Sequence, residues 1–242
     1  MASKEFLATR ALAATKCTRR VNEATGVVLR IKHVGTGTTQ TPTVVISNTS
    51  TTLTLTDAAA AATAIDFASA YTTVGAVADY INSLSSWKCK IMDGLRADAS
   101  DNLMANGSVT SASINGETVF DLLQLIASAK LEVRVTYDET VGNLRPAGAH
   151  RVTLNAFSTY ATATGGANCV RIYDCNNSTK AETQIWGGLL TNNTLQAYSA
   201  FSTGFPFSGI TATEGHDLVI VITGTVTTAA TTNYVQAEFT RE

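Results

Sequence analysis

Asp217-Leu218-Val219-Ile220-Val221-Ile222-Thr223-Gly224 runs directly into Thr225-Val226-Thr227-Thr228-Ala229-Ala230-Thr231-Thr232-Asn233-Tyr234-Val235. This is a β-rich reading: branched apolar residues, then threonine alternating with small or apolar ones. Threonine is β-branched, so it suits a pleated strand, and its hydroxyl suits the solvated side of one. Roughly one residue in six of the whole chain is threonine, well above ordinary usage. Polar positions go to Thr, Ser and Asn far more than to His, Asp and Glu, which points to a surface-building protein rather than a catalyst.

Working outward, the segment after Ala149 keeps the same cadence. His150–Phe157, Cys169–Tyr173, Thr183–Trp186, Leu195–Tyr198, Leu218–Thr223 and Tyr234–Thr240 read as strands separated by turns rich in Gly, Asn and Ser. Short strands at that spacing predict a β-sandwich over residues 150–242, immunoglobulin-like or jelly-roll. The Gly142-Asn143-Leu144-Arg145-Pro146-Ala147-Gly148 stretch predicts the domain boundary.

Residues 26–145 read as a mixed α+β domain. Val27–Val34 alternates, with Val27, Leu29, Ile31 and His33 on one face and Arg30 and Lys32 on the other. Gly35–Thr38 is a turn, and Thr43–Ser47 and Thr51–Leu55 are short strands. Val74, Val77, Ala78, Ile81 and Leu84 recur at helical spacing, predicting a helix near 74–84 capped by Thr72 or Thr73. Trp87, Cys89 and Ile91 then alternate with two lysines, completing a strand–helix–strand unit. Val119, Leu122, Leu123 and Ile126 predict a second helix near 117–130, leading into the alternating Leu131–Tyr137. The fold class is therefore mainly β, with an α+β N-terminal part followed by the sandwich.

Residues 1–25 form an arm without a clean period. Phe6, Leu7 and Leu12 are apolar enough to dock, and Arg10, Arg19 and Arg20 suit acidic groups on a neighbour, so these six are the expected assembly contacts. Arg10, Lys16, Arg19 and Arg20 interrupt any secretory h-region, and no apolar run has membrane-spanning length. Synthesis in a cytoplasm is the expectation.

The 45% hydrophobic content supports a real core, while the charged share is 15% and the formal net charge −2. That balance gives no electrostatic case for nucleic acid or an anionic membrane. Such a weakly charged β surface is better tolerated where neighbours cover it. Cys169 and Cys175 sit in one expected strand, roughly 20 Å apart if extended, so they cannot bridge. Cys17 and Cys89 complete the set, and no CxxC pair suggests zinc.

No catalytic residue, metal ligand or cofactor site stands out. His33, His150 and His216 lie in separate strands or turns without a neighbouring acid or thiol at ligand spacing. Asp93, Asp98, Asp101 and Asn102 make an oxygen-rich stretch, but not at calcium-loop spacing. Glu214–Asp217 reads as a turn before a strand. The candidate contact is an aromatic set, Trp186, Tyr198, Phe201, Phe205 and Phe207, which suits a carbohydrate rim, a subunit contact or a cap on the sandwich core.

The segment Tyr71-Thr72-Thr73-Val74-Gly75-Ala76-Val77-Ala78-Asp79-Tyr80-Ile81-Asn82 is similar to the T-x-x-x-L-x-x-x-I-N strand–helix elements of phage virion proteins and flagellar hook-associated proteins. Valine and alanine stand where leucine is usual, and the match covers residues 63–92. With its arm, mixed domain and Thr/Gly/Asn-rich β domain, the whole chain resembles head decoration, head fibre and tail accessory proteins of tailed bacteriophages. The resemblance implies a non-enzymatic virion subunit, made in the host cytoplasm, that joins the major capsid protein or other virion subunits. It also implies a homo-oligomer, with a trimer favoured. Tail tube or fibre proteins are the alternative, and a bacterial surface adhesin or glycan-binding module the next.

Overall fold

The computed structural model describes residues 15–22, 26–47, 51–103, 111–114, 117–124, 130–135, 151–160, 168–176, 178–190, 196–199, 206, 209–223 and 234–241. In chain order the strands are β1 (Thr15–Asn22), β2 (Gly26–His33), β3 (Thr43–Ile46), β4 (Thr52–Thr56) and β5 (Ala62–Asp66), followed by helix α1 (Val74–Ser83) and β6 (Trp87–Ile91). Then come β7 (Ser111–Ile114), β8 (Glu117–Gln124), β9 (Lys130–Val135), β10 (Val152–Tyr160), β11 (Asn168–Cys175) and β12 (Glu182–Leu190). The last four are β13 (Gln196–Ser199), β14 (Ile210–Thr211), β15 (Asp217–Thr223) and β16 (Tyr234–Arg241). The protein is mainly β, as its composition predicts, and every described strand pair is antiparallel.

The elements fall into two compact units. One contains β1 and β9–β16. Its first sheet has the order β1-β16-β10-β13, with β14 also on β10, and its second the order β12-β11-β15-β9. Val152, Leu154 and Phe157 of β10 and Val235, Ala237 and Phe239 of β16 share one core with Ile172, Leu218, Ile220 and Ile222 of the other sheet. This is the expected sandwich, and all six C-terminal strands read from the sequence are present within a few residues. Bulges interrupt the β10–β16 and β11–β12 registers, at Asn155 and Ile185.

The sandwich is not confined to residues 150–242. Residues 15–22, expected as part of a separate arm, form β1 and pair along their whole length with β16, from Thr15 opposite Arg241 to Asn22 opposite Tyr234. β9 enters the second sheet from the other side of the sequence, with Val135 opposite Leu218. From β1 the described chain thus leaves the sandwich for β2–β8 and returns to it at β9. A boundary read from Gly and Pro marks loops but not pairing partners distant in sequence; residues 142–148 themselves lie outside the described residues.

The second unit contains the sheet β6-β2-β8-β7, the sheet β3-β4-β5 and α1. Leu29, Ile31, Cys89, Trp87, Phe120 and Leu122 pack with Val44, Ile46, Leu53, Leu55 and Ile65 and with Val74, Val77, Ala78 and Ile81 of the helix. α1 occupies its expected place. The Thr73 hydroxyl oxygen accepts from the Ala76 amide at 3.2 Å, satisfying one of the first turn's unused donors. At the other end Asn82 turns its side chain onto β6, donating to the Cys89 carbonyl and accepting from the Cys89 amide, both at 2.9 Å. β6 is an edge strand, and this amide acts in place of a neighbouring strand there.

The helix expected near 117–130 is corrected: Glu117–Gln124 is β8, and Lys130 begins β9. Val119, Leu122 and Leu123 fit helical spacing, but the same segment also alternates. Phe120 and Leu122 enter the core, and Asp121 on the opposite face takes a bidentate ion pair from Arg30 at 2.7 and 3.0 Å. Pairing with β2 decides between two patterns that short apolar runs satisfy equally.

Two substitutions test this account. Asn82→Ala removes both bonds to Cys89 and is expected to destabilise the unit by about 2 kcal/mol, with the Cys89 amide losing protection in hydrogen exchange. Ala60 is held at φ +66° in the tight turn where the Asp57 carboxylate accepts from the Ala59 and Ala61 amides. Ala60→Gly relieves that left-handed strain and should stabilise by about 1 kcal/mol, read as a higher urea midpoint.

Candidate functional site

The aromatic set was the first candidate for contact. Phe157 from β10 stacks on Tyr198 from β13 with ring centroids 4.7 Å apart, and Trp186 from β12 meets both edge-on at 5.8 and 5.6 Å. Trp186 and Tyr198 are half-buried and pack against the sandwich core. They are therefore a core cap rather than an exposed rim, as offset and T-shaped ring contacts favour. The Tyr198 hydroxyl donates to the Leu189 carbonyl at 3.1 Å, and burial raises its pKa. Phe201, Phe205 and Phe207 lie outside the described residues.

The pairing of β11 with β15 creates a constellation that sequence spacing did not reveal. Asp174 lies opposite Leu218, which carries its carboxylate to the turn preceding β15. In that turn the His216 amide bonds the Thr213 carbonyl, and Gly215 takes φ +71°. Asp174 Oδ2 accepts from the Thr213 hydroxyl at 2.6 Å and its amide at 3.4 Å, while Oδ1 lies 2.9 Å from His216 Nδ1. His216 therefore does have an acidic partner, 42 residues away in sequence. The carboxylate stands between hydroxyl and imidazole. In a nucleophile–base–acid chain the imidazole must stand between the other two, so this order fastens a turn and does not activate the hydroxyl.

One residue further along, Glu182, Cys175 and Asp217 are cross-strand neighbours. Arg134 from β9 reaches Asp217 at 3.5 Å and Glu182 at 3.7 Å, with Arg134 2% exposed and Asp217 0%. A buried guanidinium shared by two carboxylates compensates charges that would otherwise carry a heavy desolvation cost. Burial pushes the Cys175 thiol up to about 12, with Arg134 opposing the shift. Burial also raises the Cys89 thiol well above its ordinary range, aided by Asp79. These thiols are packing groups rather than nucleophiles. Cys169 and Cys175 share β11 as expected, and neither forms a disulfide.

The oxygen-rich stretch is structural too. Asp98 is buried and accepts from the Leu95 amide at 2.7 Å, Asp93 is buried, and Asp101 is exposed. Among the described residues no group of three His, Cys, Asp or Glu side chains is placed to hold a metal ion. His33 meets Trp87 edge-on at 4.9 Å and accepts from the Ala58 amide at 3.5 Å. His150 lies outside the described residues, as do Phe6, Leu7, Arg10 and Leu12. Arg19 and Arg20 lie in β1, opposite Ala237 and Gln236, so they belong to a sheet and not to a separate arm.

Two surfaces remain that chemistry can use. The sheet β3-β4-β5 sends Val44, Ile46, Leu53, Leu55 and Ile65 inward. Its register then sets Thr43, Thr56 and Ala62 in one outward row, Val45, Thr54 and Ala64 in the next, and Thr52 beside Asp66 in the third. Asp66 is the one charge in those three rows, and bonds from the Ser69 hydroxyl and Ala68 amide lower its pKa. The second surface is β12, an edge strand among the described residues, bearing two of their exposed large apolar side chains, Ile185 at 43% and Leu189 at 76%.

No protein-family model matches the chain, and no curated protein sequence matches it.

The buried thiol has a measurable consequence. Against an ordinary value of 9.0, a Cys175 pKa near 12 means that the unfolded chain gives up its proton first as pH rises. Its contribution to stability is present below pH 9 and is lost between about pH 9 and 12. Cys175→Ser is expected to flatten the alkaline fall in unfolding midpoint, and the wild-type thiol should label with a maleimide at neutral pH only after denaturant is added.

Proposed function

We propose that this protein is a non-enzymatic structural subunit of a tailed-bacteriophage virion, a decoration protein that adds to the head shell as a homo-oligomer. The observation that carries this reading is the outward face of β3-β4-β5, paved with Thr, Ala and Val around a single charge. Short side chains lose little rotamer freedom when a neighbour covers them, so such a face favours permanent contact with another protein. The same neutral hydroxyl and methyl groups offer nothing to a reacting substrate. The resemblance of residues 63–92 to virion proteins supports the assignment, since that segment does fold as a strand–helix–strand element, β5–α1–β6, with the Ile81-Asn82 pair in the last turn of its helix. The arrangement of Asp174, Thr213 and His216 speaks for a fastened turn and against hydrolysis.

Antibody against the purified chain, applied with gold label to virions of the encoding genome, tests the proposal. Label over the head is the expected result. Label confined to the tail would replace decoration with a tail tube or fibre role, and no label on particles would overturn the virion reading. In the same particles Thr54→Lys, which sets a long cation at the centre of the threonine face, is expected to reduce incorporation at least tenfold while leaving the purified subunit folded.

A further inference from the structure

We propose that β12 is a self-association surface through which two copies of this chain pair antiparallel, about a two-fold axis at Gly187. This goes beyond the virion assignment, and it holds or fails whichever particle the subunit joins.

β12 closes one side of its sheet and pairs, among the described residues, with β11 alone. After Glu182, from Thr183 to Leu190, it carries no charge and no proline, two of the devices with which exposed edges ordinarily repel another strand. What it carries instead has mirror spacing. Gly187 is exposed, and Ile185 and Leu189 stand two residues to either side of it. In an antiparallel pair centred on Gly187, each Ile185 comes opposite the other copy's Leu189, on the same face of the joined sheet. Gly187 meets its own counterpart, where any larger side chain would confront an identical copy of itself. On the opposite face Trp186 already covers Gly188, with its ring 3.1 Å from where a Cβ would stand. On the outward face only the flexible end of Gln184 lies over Gly187, 3.1 Å from where a Cβ would stand, and a partner strand can displace it.

One irregularity lies within the paired stretch, a bulge that locally twists the edge. Ile185 is the residue skipped by β11, whose Ile172 pairs with Trp186 and Tyr173 with Gln184. A two-fold contact gives dimers, so it is distinct from the three-fold association expected from the sequence; it would join such rings in pairs.

Light scattering and cross-linking of the full chain test the inference. Leu189 is 76% exposed, so Leu189→Lys should fold normally by circular dichroism and halve the mass at concentrations where the wild type is paired. Gly187→Cys should form a disulfide-linked dimer under mild oxidation that the wild type does not form, because residues facing at the axis have Cα atoms roughly 5 Å apart. The nearest group to that new Cβ is the flexible end of Gln184 at 3.1 Å. Thr183→Cys, displaced from its counterpart along the strand, should not cross-link. A monomeric wild type, an assembly whose mass is unchanged by Leu189→Lys, or failure of Gly187→Cys to cross-link each overturns the proposal.

Discussion

The register of β15 is the constraint on which the sandwich depends. Asp217 to Ile222 are 0–2% exposed on both faces, with Leu218, Ile220 and Ile222 in the shared core and Asp217, Val219 and Val221 opposite. A strand buried on both sides has no tolerant face. A slip by one residue would send Asp217 into the apolar core and take it from Arg134. The same register aligns Asp174 with the turn that feeds β15, so one set of backbone bonds fixes the core, the buried ion cluster and the fastened turn together.

The second unit relies on a different economy. Its sheets are small and its helix is ten residues long, too short to be stable alone in water. Thr73 caps the helix's first turn and Asn82 ties its last turn to β6, while Val74, Val77 and Ile81 enter the core. Gly75 is required by closeness, since a Cβ there would lie 2.9 Å from Arg96. Arg96 meanwhile reaches the Gly75 carbonyl and Asp79, so loop and helix hold each other.

What distinguishes the molecule chemically is where charge is put. Arg30 and Asp121, and Arg134 with Asp217 and Glu182, are paired at buried or half-buried positions. The outward rows of β3-β4-β5 and the edge strand β12 are nearly neutral. Most proteins spend charge on their surfaces for solubility. Neutral rows and a neutral edge suit a subunit whose surfaces end up against other subunits.

The sequence by itself determined what depends on neighbours along the chain. Alternation determined the strands from Val152 onward, the 3.6-residue spacing with its Thr73 cap determined α1, and the separation of Cys169 from Cys175 within one strand excluded a bridge. Tertiary pairing decided the rest. Glu117–Gln124 satisfies both helical and strand periods, and only its pairing with β2 and β7, with Arg30 meeting Asp121, selects the strand. Thr15–Asn22 has no clean period and becomes a strand because β16, more than two hundred residues away, supplies its partners. Asp174 and His216 are anonymous in sequence and meet because β11 and β15 are adjacent. Periodicity records which face a residue turns inward; it carries no record of which distant strand lies beside it, because that is fixed by hydrogen bonds and burial across the whole fold.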